Sequence, residues 1–266
     1  MTDSVFLRAN EVLLQNNVNE KLRLTGKLQQ DWLAGKLEPS RDNSLECSKP
    51  GQPENLVYVA PSKLPRRTLH SVSGKIAFIH ALTHIEFTAI NLALDIIARF
   101  QDMPRQFYQD WIRVAAEEAS HFDLLNTRLI SLGSRYGDLP VHNGLWTMAT
   151  KTANDVLDRL ALVPRMLEAR GLDVTPDMIN RLLEINDHET ADILKKILAD
   201  EIGHVKIGSQ WFSYVCKKRG LDSFTTFFEL LRKNAGNQIR KPINHEARKL
   251  AGFSEQELNS LEQMTD

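Results

Sequence analysis

Four long segments of this chain carry apolar residues at helical spacing, and an acid interrupts each of the four stripes. The segments run about 72–100, 104–132, 145–171 and 187–219. An acid on a solvated helix face constrains nothing. One inside an apolar stripe must be paired, protonated or bound to a cation, because an isolated buried charge is too costly. Glu86 is flanked at helical spacing by Ile79, Leu82, Thr83, Ala89, Ile90, Ala93 and Ile97. Glu118 lies among Trp111, Val114, Ala115, Phe122, Leu125 and Leu129, and Glu201 among Leu194, Ile197, Leu198, Val205, Trp211 and Phe212. Glu118 and Glu201 are each followed one turn later on the same face by a histidine, His121 and His204. Glu168 is the only Glu of the third segment. Leu157, Leu160, Ala161 and Leu172 share its side, as do Pro164 and Arg165, so its stripe is the least clean.

Two short stretches echo each other, AEEASHF at Ala116–Phe122 and ADEIGHV at Ala199–Val205. Glu-x-x-His alone is a weak signal; phase and order carry the weight. The order is single acid, Glu–His pair, single acid, Glu–His pair, which two repeated helical hairpins would give. Glu86 and Glu118 each lie about fourteen residues from the turn between their segments, which places them at one height in an antiparallel hairpin. A two-metal carboxylate site in a four-helix bundle needs this set: four carboxylates and two imidazoles from four helices. The carboxylates offset the charge of two divalent ions, and the imidazoles favour iron or another transition metal over calcium. The candidate ligands are therefore Glu86, Glu118, His121, Glu168, Glu201 and His204. Glu117 and Asp200, just before each pair, are candidates to hold a ligated imidazole by its free N–H, with simple solvation as the competing reading. The metal-free alternative is a bundle whose buried acids pair with Arg113, Arg165 or Lys206.

Other side chains read as structural. His80 and His84 share a face, but His84 points well away from Glu86, so both are expected in the core or at an interface. His188 sits with Asp187 and Glu189 at a helix start, where capping and the helix dipole explain the acids. Trp111, Trp211 and Tyr214 are expected as core aromatics. Lys63, Arg66, Arg67, Arg232, Lys233, Arg240, Lys241 and Arg248 are expected on solvated faces.

The 266 residues suffice for a sizeable core, and the net charge of -1 gives no global field toward nucleic acid or acidic lipid. Cys47 and Cys216 form no CxxC and make a disulfide framework unlikely to be needed. No signal peptide and no stretch long enough to cross a bilayer are read, so a cytoplasmic protein is expected. Residues about 5–34 are helical in pattern, and 35–68 are rich in proline and read as an extended connector with LVYVA as a short strand or packed arm. Pro164 predicts a kink, Gly171 a helix end, and Thr175 with Pro176 a new helix start. A final helix is expected over about 254–263 behind Ser254. The expected fold is all-α: a ferritin-like four-helix bundle over 71–220, an N-terminal helix and connector over 1–70, and a helical tail over 221–266, together one compact domain.

The stretches HIEFTAINLALD, EEASHF, YGDLPVH, ALVPRMLEARGLDVTP, DHETADILKKILADEIGHVKIG and PINHEARKLAGF resemble a bacterial family of ferritin-like proteins catalogued as a domain of unknown function. The resemblance covers roughly residues 60–255. It implies a di-iron bundle with the same six ligands. An acid often stands in that family where this chain carries Asn91. By ligand order, a more distant likeness is the bacterial tRNA hydroxylase acting on methylthio-isopentenyladenosine, an analogy only. The function expected is an O2-dependent di-iron oxidoreductase of hydroxylase or desaturase type. Its partners would be O2, a small-molecule or nucleoside-type substrate and a reductase, and manganese or a mixed metal pair is the alternative to two irons. The competing functions are iron handling or ferroxidase activity without an organic substrate, and a metal-free structural bundle.

Overall fold

A computed structural model describes residues 3–42, 49–234 and 239–264. Cys47 lies outside the described residues. Among them the fold is all-α, apart from a two-residue parallel pairing of β1 (Asp3–Ser4) with β2 (Leu37–Glu38). The chain divides into two compact units, Met1–Trp146 and Thr147–Asp266. That boundary falls inside the expected 71–220 segment rather than at its ends.

The first unit is built on a long antiparallel hairpin, α3 (Val72–Arg99) and α4 (Arg105–Ser131). Ser71 caps α3 by accepting the Gly74 N–H at 3.1 Å, and Pro104, which has no N–H to give, stands as the N-cap of α4. Gly133 at φ +82° ends α4 in the left-handed region, which is strained for residues that carry a side chain. The expected helix over 5–34 is two helices, α1 (Val5–Leu13) and α2 (Val18–Leu33). The break falls at Asn17, whose side chain accepts the Glu20 N–H and starts a new helix. α1 packs on α3 and α2 on α4. In the connector, LVYVA supplies one parallel bridge, Tyr58 to Val141.

α3 overturns one sequence expectation. It is long and apolar enough to cross a bilayer, with a mean hydropathy of 1.4 over its best window. Yet 83% of that window is buried within the protein, as befits a core helix that is apolar on all sides.

The second unit contains α5 from its middle onward (Gly144–Lys151 in full), α6 (Val156–Leu162), a π-helical segment (Val163–Glu168), α7 (Ala169–Glu184) and α8 (His188–Lys218). α9 (Ser223–Asn234), α10 (His245–Leu250) and α11 (Glu255–Gln263) follow. α6, the π segment and α7 all pack on α8. Pro164 does distort its helix, by widening it into the π segment. The expected end at Gly171 and restart at Thr175 are not observed: α7 runs through both, with Pro176 in its interior. A proline there removes the donor for the Leu172 carbonyl, and Asn244 Nδ2 supplies it at 3.1 Å. The break lies earlier, before Asp155, which caps α6 by accepting the Leu157 N–H at 2.8 Å. Ser254 starts the last helix as expected, in a full capping box with Glu257.

Candidate metal centre

Glu86, Glu118 and His121 come together in the first unit. The stripe around Glu86 is as buried as its phase implied, with Ile79, Ile90 and Ile97 at 0% exposure, and Glu86 itself at 5%. Glu118 is 1% and His121 0% exposed. Equal distance from the α3–α4 turn does place the two acids at one height: His121 Nδ1 lies 3.4 Å from Glu86 Oε2 and 3.3 Å from Glu118 Oε2. One ligand atom from each of the three lies within 4.8 Å of the others.

These separations can be set against two chemistries. A charge-assisted N–H···O bond closes to about 2.7–2.9 Å. Two ligands about 2.1 Å from one ion lie about 3.0–3.4 Å apart, from octahedral to tetrahedral angles. The observed 3.3 and 3.4 Å lie within hydrogen-bonding reach and also match the spacing of co-ligands. In the protein without metal, burial opposes a charge on His121. The carboxylates of Glu118 and Glu86 outweigh it and raise the imidazole to about 11, so a proton occupies the place a cation would take. The donor set, buried carboxylates converging on imidazole, fits a transition-metal ion.

The second unit repeats the pattern on α8. His204, 0% exposed, has Nδ1 3.6 Å from Glu201 Oε1, and Glu201 is partly buried. Leu194, Ile197, Val205 and Phe212 around them are buried. Glu168 is half-buried and closes the π segment, which packs on α8. Gly208 makes that packing possible, since a Cβ there would meet Pro164 Cβ at 2.5 Å.

The cations weighed as metal-free partners are placed elsewhere. Arg113 and Lys206 are exposed, and Arg165 bonds to Glu257 at 2.6 Å. Asp200 pairs with Lys196 at 2.7 Å, and both Asp200 and Glu117 are half-buried.

His80 and His84 belong to the core. His80 Nε2 accepts the backbone N–H of Gly137 at 3.0 Å and of Leu139 at 3.4 Å, which requires the neutral ring. His84 Nε2 faces the His142 carbonyl and therefore donates, leaving Nδ1 to accept from the Tyr136 hydroxyl at 2.8 Å. Burial lowers both imidazoles to about 4. Asp187, beside His188, is the N-cap of α8 and accepts the Thr190 N–H. Trp111 and Trp211 are buried, but Tyr214 is 38% exposed and packs edge-on against Trp211. Arg248 is not on a solvated face: it is buried and holds Asp173 with two bonds, at 2.8 and 2.7 Å.

One buried residue escaped the sequence reading. Lys21, 0% exposed, donates to the carbonyls of Leu13 and Gly51 and to Asn91 Oδ1, at 2.9, 2.9 and 2.6 Å. Its place in phase with Thr25, Leu28 and Trp32 was the available signal.

The sequence pattern of the family described as "Protein of unknown function (DUF455)" matches residues 14–259. The chain belongs to this family. A relative, an uncharacterized protein of Haemophilus influenzae, is 43% identical over 254 residues, covering 91% of this chain and 88% of the relative. No solved structure matches. The family carries no established reaction, so the chemistry of this DUF455 protein rests on its buried residues.

Proposed function

We propose that this protein is a non-haem di-metal oxidoreductase with iron as its natural metal. Its ligands are Glu86, Glu118 and His121 in the first unit, and Glu168, Glu201 and His204 in the second. The observation that carries this reading is the buried group in which Glu86 and Glu118 both approach His121 Nδ1, at separations that suit ligands of one ion. The repeat of the Glu–His pair on α8 supports the second set.

Two reducing metal ions would supply electrons to O2 for attack on an organic substrate. The chain's own part is electrostatic and steric. The carboxylates offset cationic charge at a site closed to water, and the imidazoles select for a transition metal. Glu86, Glu118 and His121 are themselves buried, which keeps solvent from the first set. O2, an unidentified small-molecule or nucleoside-type substrate and an electron-donating partner complete the proposal.

Ferrous loading under anaerobic conditions tests it. The loaded protein is expected to consume O2 and gain near-ultraviolet absorption on admitting air. Glu118→Ala and Glu201→Ala are each expected to lose bound iron and O2 consumption together. Undiminished iron in either folded variant would exclude the proposed site.

A further inference from the structure

The π segment and the C-terminal helices enclose a small cavity of about 100 Å³, open to solvent and within the second unit. Its wall contains none of the six candidate metal ligands. Arg165, Arg170, Arg240 and Arg248 line it, with Asp173 as the acid among them. Phe227, Leu231, Ile243 and Leu261 supply apolar wall. Including Glu257, the partner of Arg165, four guanidinium groups face two carboxylates.

Part of this charge is structural. Arg248 is taken up by Asp173, and Arg170 donates to the carbonyls of Arg240 and Pro242 at 2.7 Å and of Lys241 at 3.1 Å, fixing that loop as one side of the cavity. Arg165 is also held by Glu257 but keeps a further buried donor, and Arg240 is exposed. Arg165 is 3% exposed, with its guanidinium held over the rings of Phe212, Phe227 and Phe253 at 4.8, 4.1 and 4.7 Å. Its Nε–H is buried and meets no acceptor among the described residues. Leaving a charged donor unsatisfied is costly, and an arriving anion would remove that cost. Arg240 stands exposed at the rim.

We propose that this cavity binds a small organic anion, a carboxylate or a phosphate monoester on a short apolar body. The acid group meets Arg165 and Arg240, and the apolar body lies against Leu231, Ile243 and Leu261. The site goes beyond the metal reading and stands without it.

Calorimetric titration of the full-length protein, stripped of metal with a chelator, tests the proposal. The probes are hexanoate, hexyl phosphate and hexylammonium. At least one anion is expected to bind with a Kd of about 1 mM or tighter, and hexylammonium about tenfold more weakly or not at all. Which anion binds separates a carboxylate ligand from a phosphate one. Arg240→Glu, at an exposed position, is expected to weaken the anion about fivefold or more. Ile243→Trp, which fills the cavity, is expected to abolish binding. Failure of both anions to bind, equal binding of hexylammonium, or unchanged affinity in both variants would overturn the proposal. Because no metal is present, loss of the metal reading leaves this result standing, and the reverse also holds.

Discussion

At the scale of single residues, buried polar groups decide how this protein answers pH. Burial lowers Lys21 from 10.5 to about 7. The unfolded chain therefore binds more protons than the folded one between about pH 7 and 10.5. The cost of burying Lys21 is full below that window and is relieved as pH rises through it. Asn91 offers Lys21 an oxygen but no charge. Asn91→Asp supplies the missing counter-charge and is expected to stabilise the protein at pH 7 by about 1–3 kcal/mol in urea unfolding. A loss of stability would contradict this account of Lys21. His80 and His84 act in the opposite pH range. Their folded values of about 4 lie below the ordinary 6.5, so stability is present above 6.5 and lost as pH falls toward 4. His80→Gln keeps an acceptor for Gly137 and Leu139 but does not titrate. It is expected to flatten this acid loss by up to about 1.4 kcal/mol per pH unit, measured as the unfolding free energy between pH 4 and 6.5. The acids of the first set were legible in the sequence because each replaces an apolar residue in a clean stripe. Lys21 was not, because a lysine in a helical pattern reads as solvated. Only the tertiary cover of α1 and the connector, whose Leu13 and Gly51 carbonyls receive it, makes burial tolerable.

At the scale of elements, the long helices were legible to within a residue or two where caps and terminal glycines agree, as for α3, α4 and α8. The third long segment was misread because local signals were overridden. Pro176 looks like a helix start, but Asn244, 68 positions later in sequence, serves the carbonyl that the proline strands. No local pattern could announce that donor. Asn244→Ala is expected to cost about 1–3 kcal/mol, since it also removes the cap of α10. Adding Pro176→Ala should recover part of that loss in chemical denaturation; no recovery would mean that the Leu172 carbonyl is not the reason. The π segment depends on close approach to α8 at Gly208. Gly208→Ala would push Pro164 away and disturb Glu168 at the segment's end. The expected result is a folded protein with reduced metal content, seen by pairing circular dichroism with metal analysis. Full metal content would show that Glu168 tolerates the shift.

At the scale of the whole molecule, two units each carry a single Glu and a Glu–His pair on antiparallel helices. Within the first, the three side chains converge on one another, buried and at ligand spacing. The central claim, a proposal, is that both sets bind metal. Counting metal per chain tests it most directly. The full-length protein, loaded anaerobically with ferrous iron and desalted, is quantified by elemental analysis against protein concentration. The account requires about two irons per chain in the native protein and a loss of bound iron in both Glu118→Ala and Glu201→Ala, because each substitution removes a proposed ligand. No retained iron in the native protein, or undiminished iron in either variant, would contradict it.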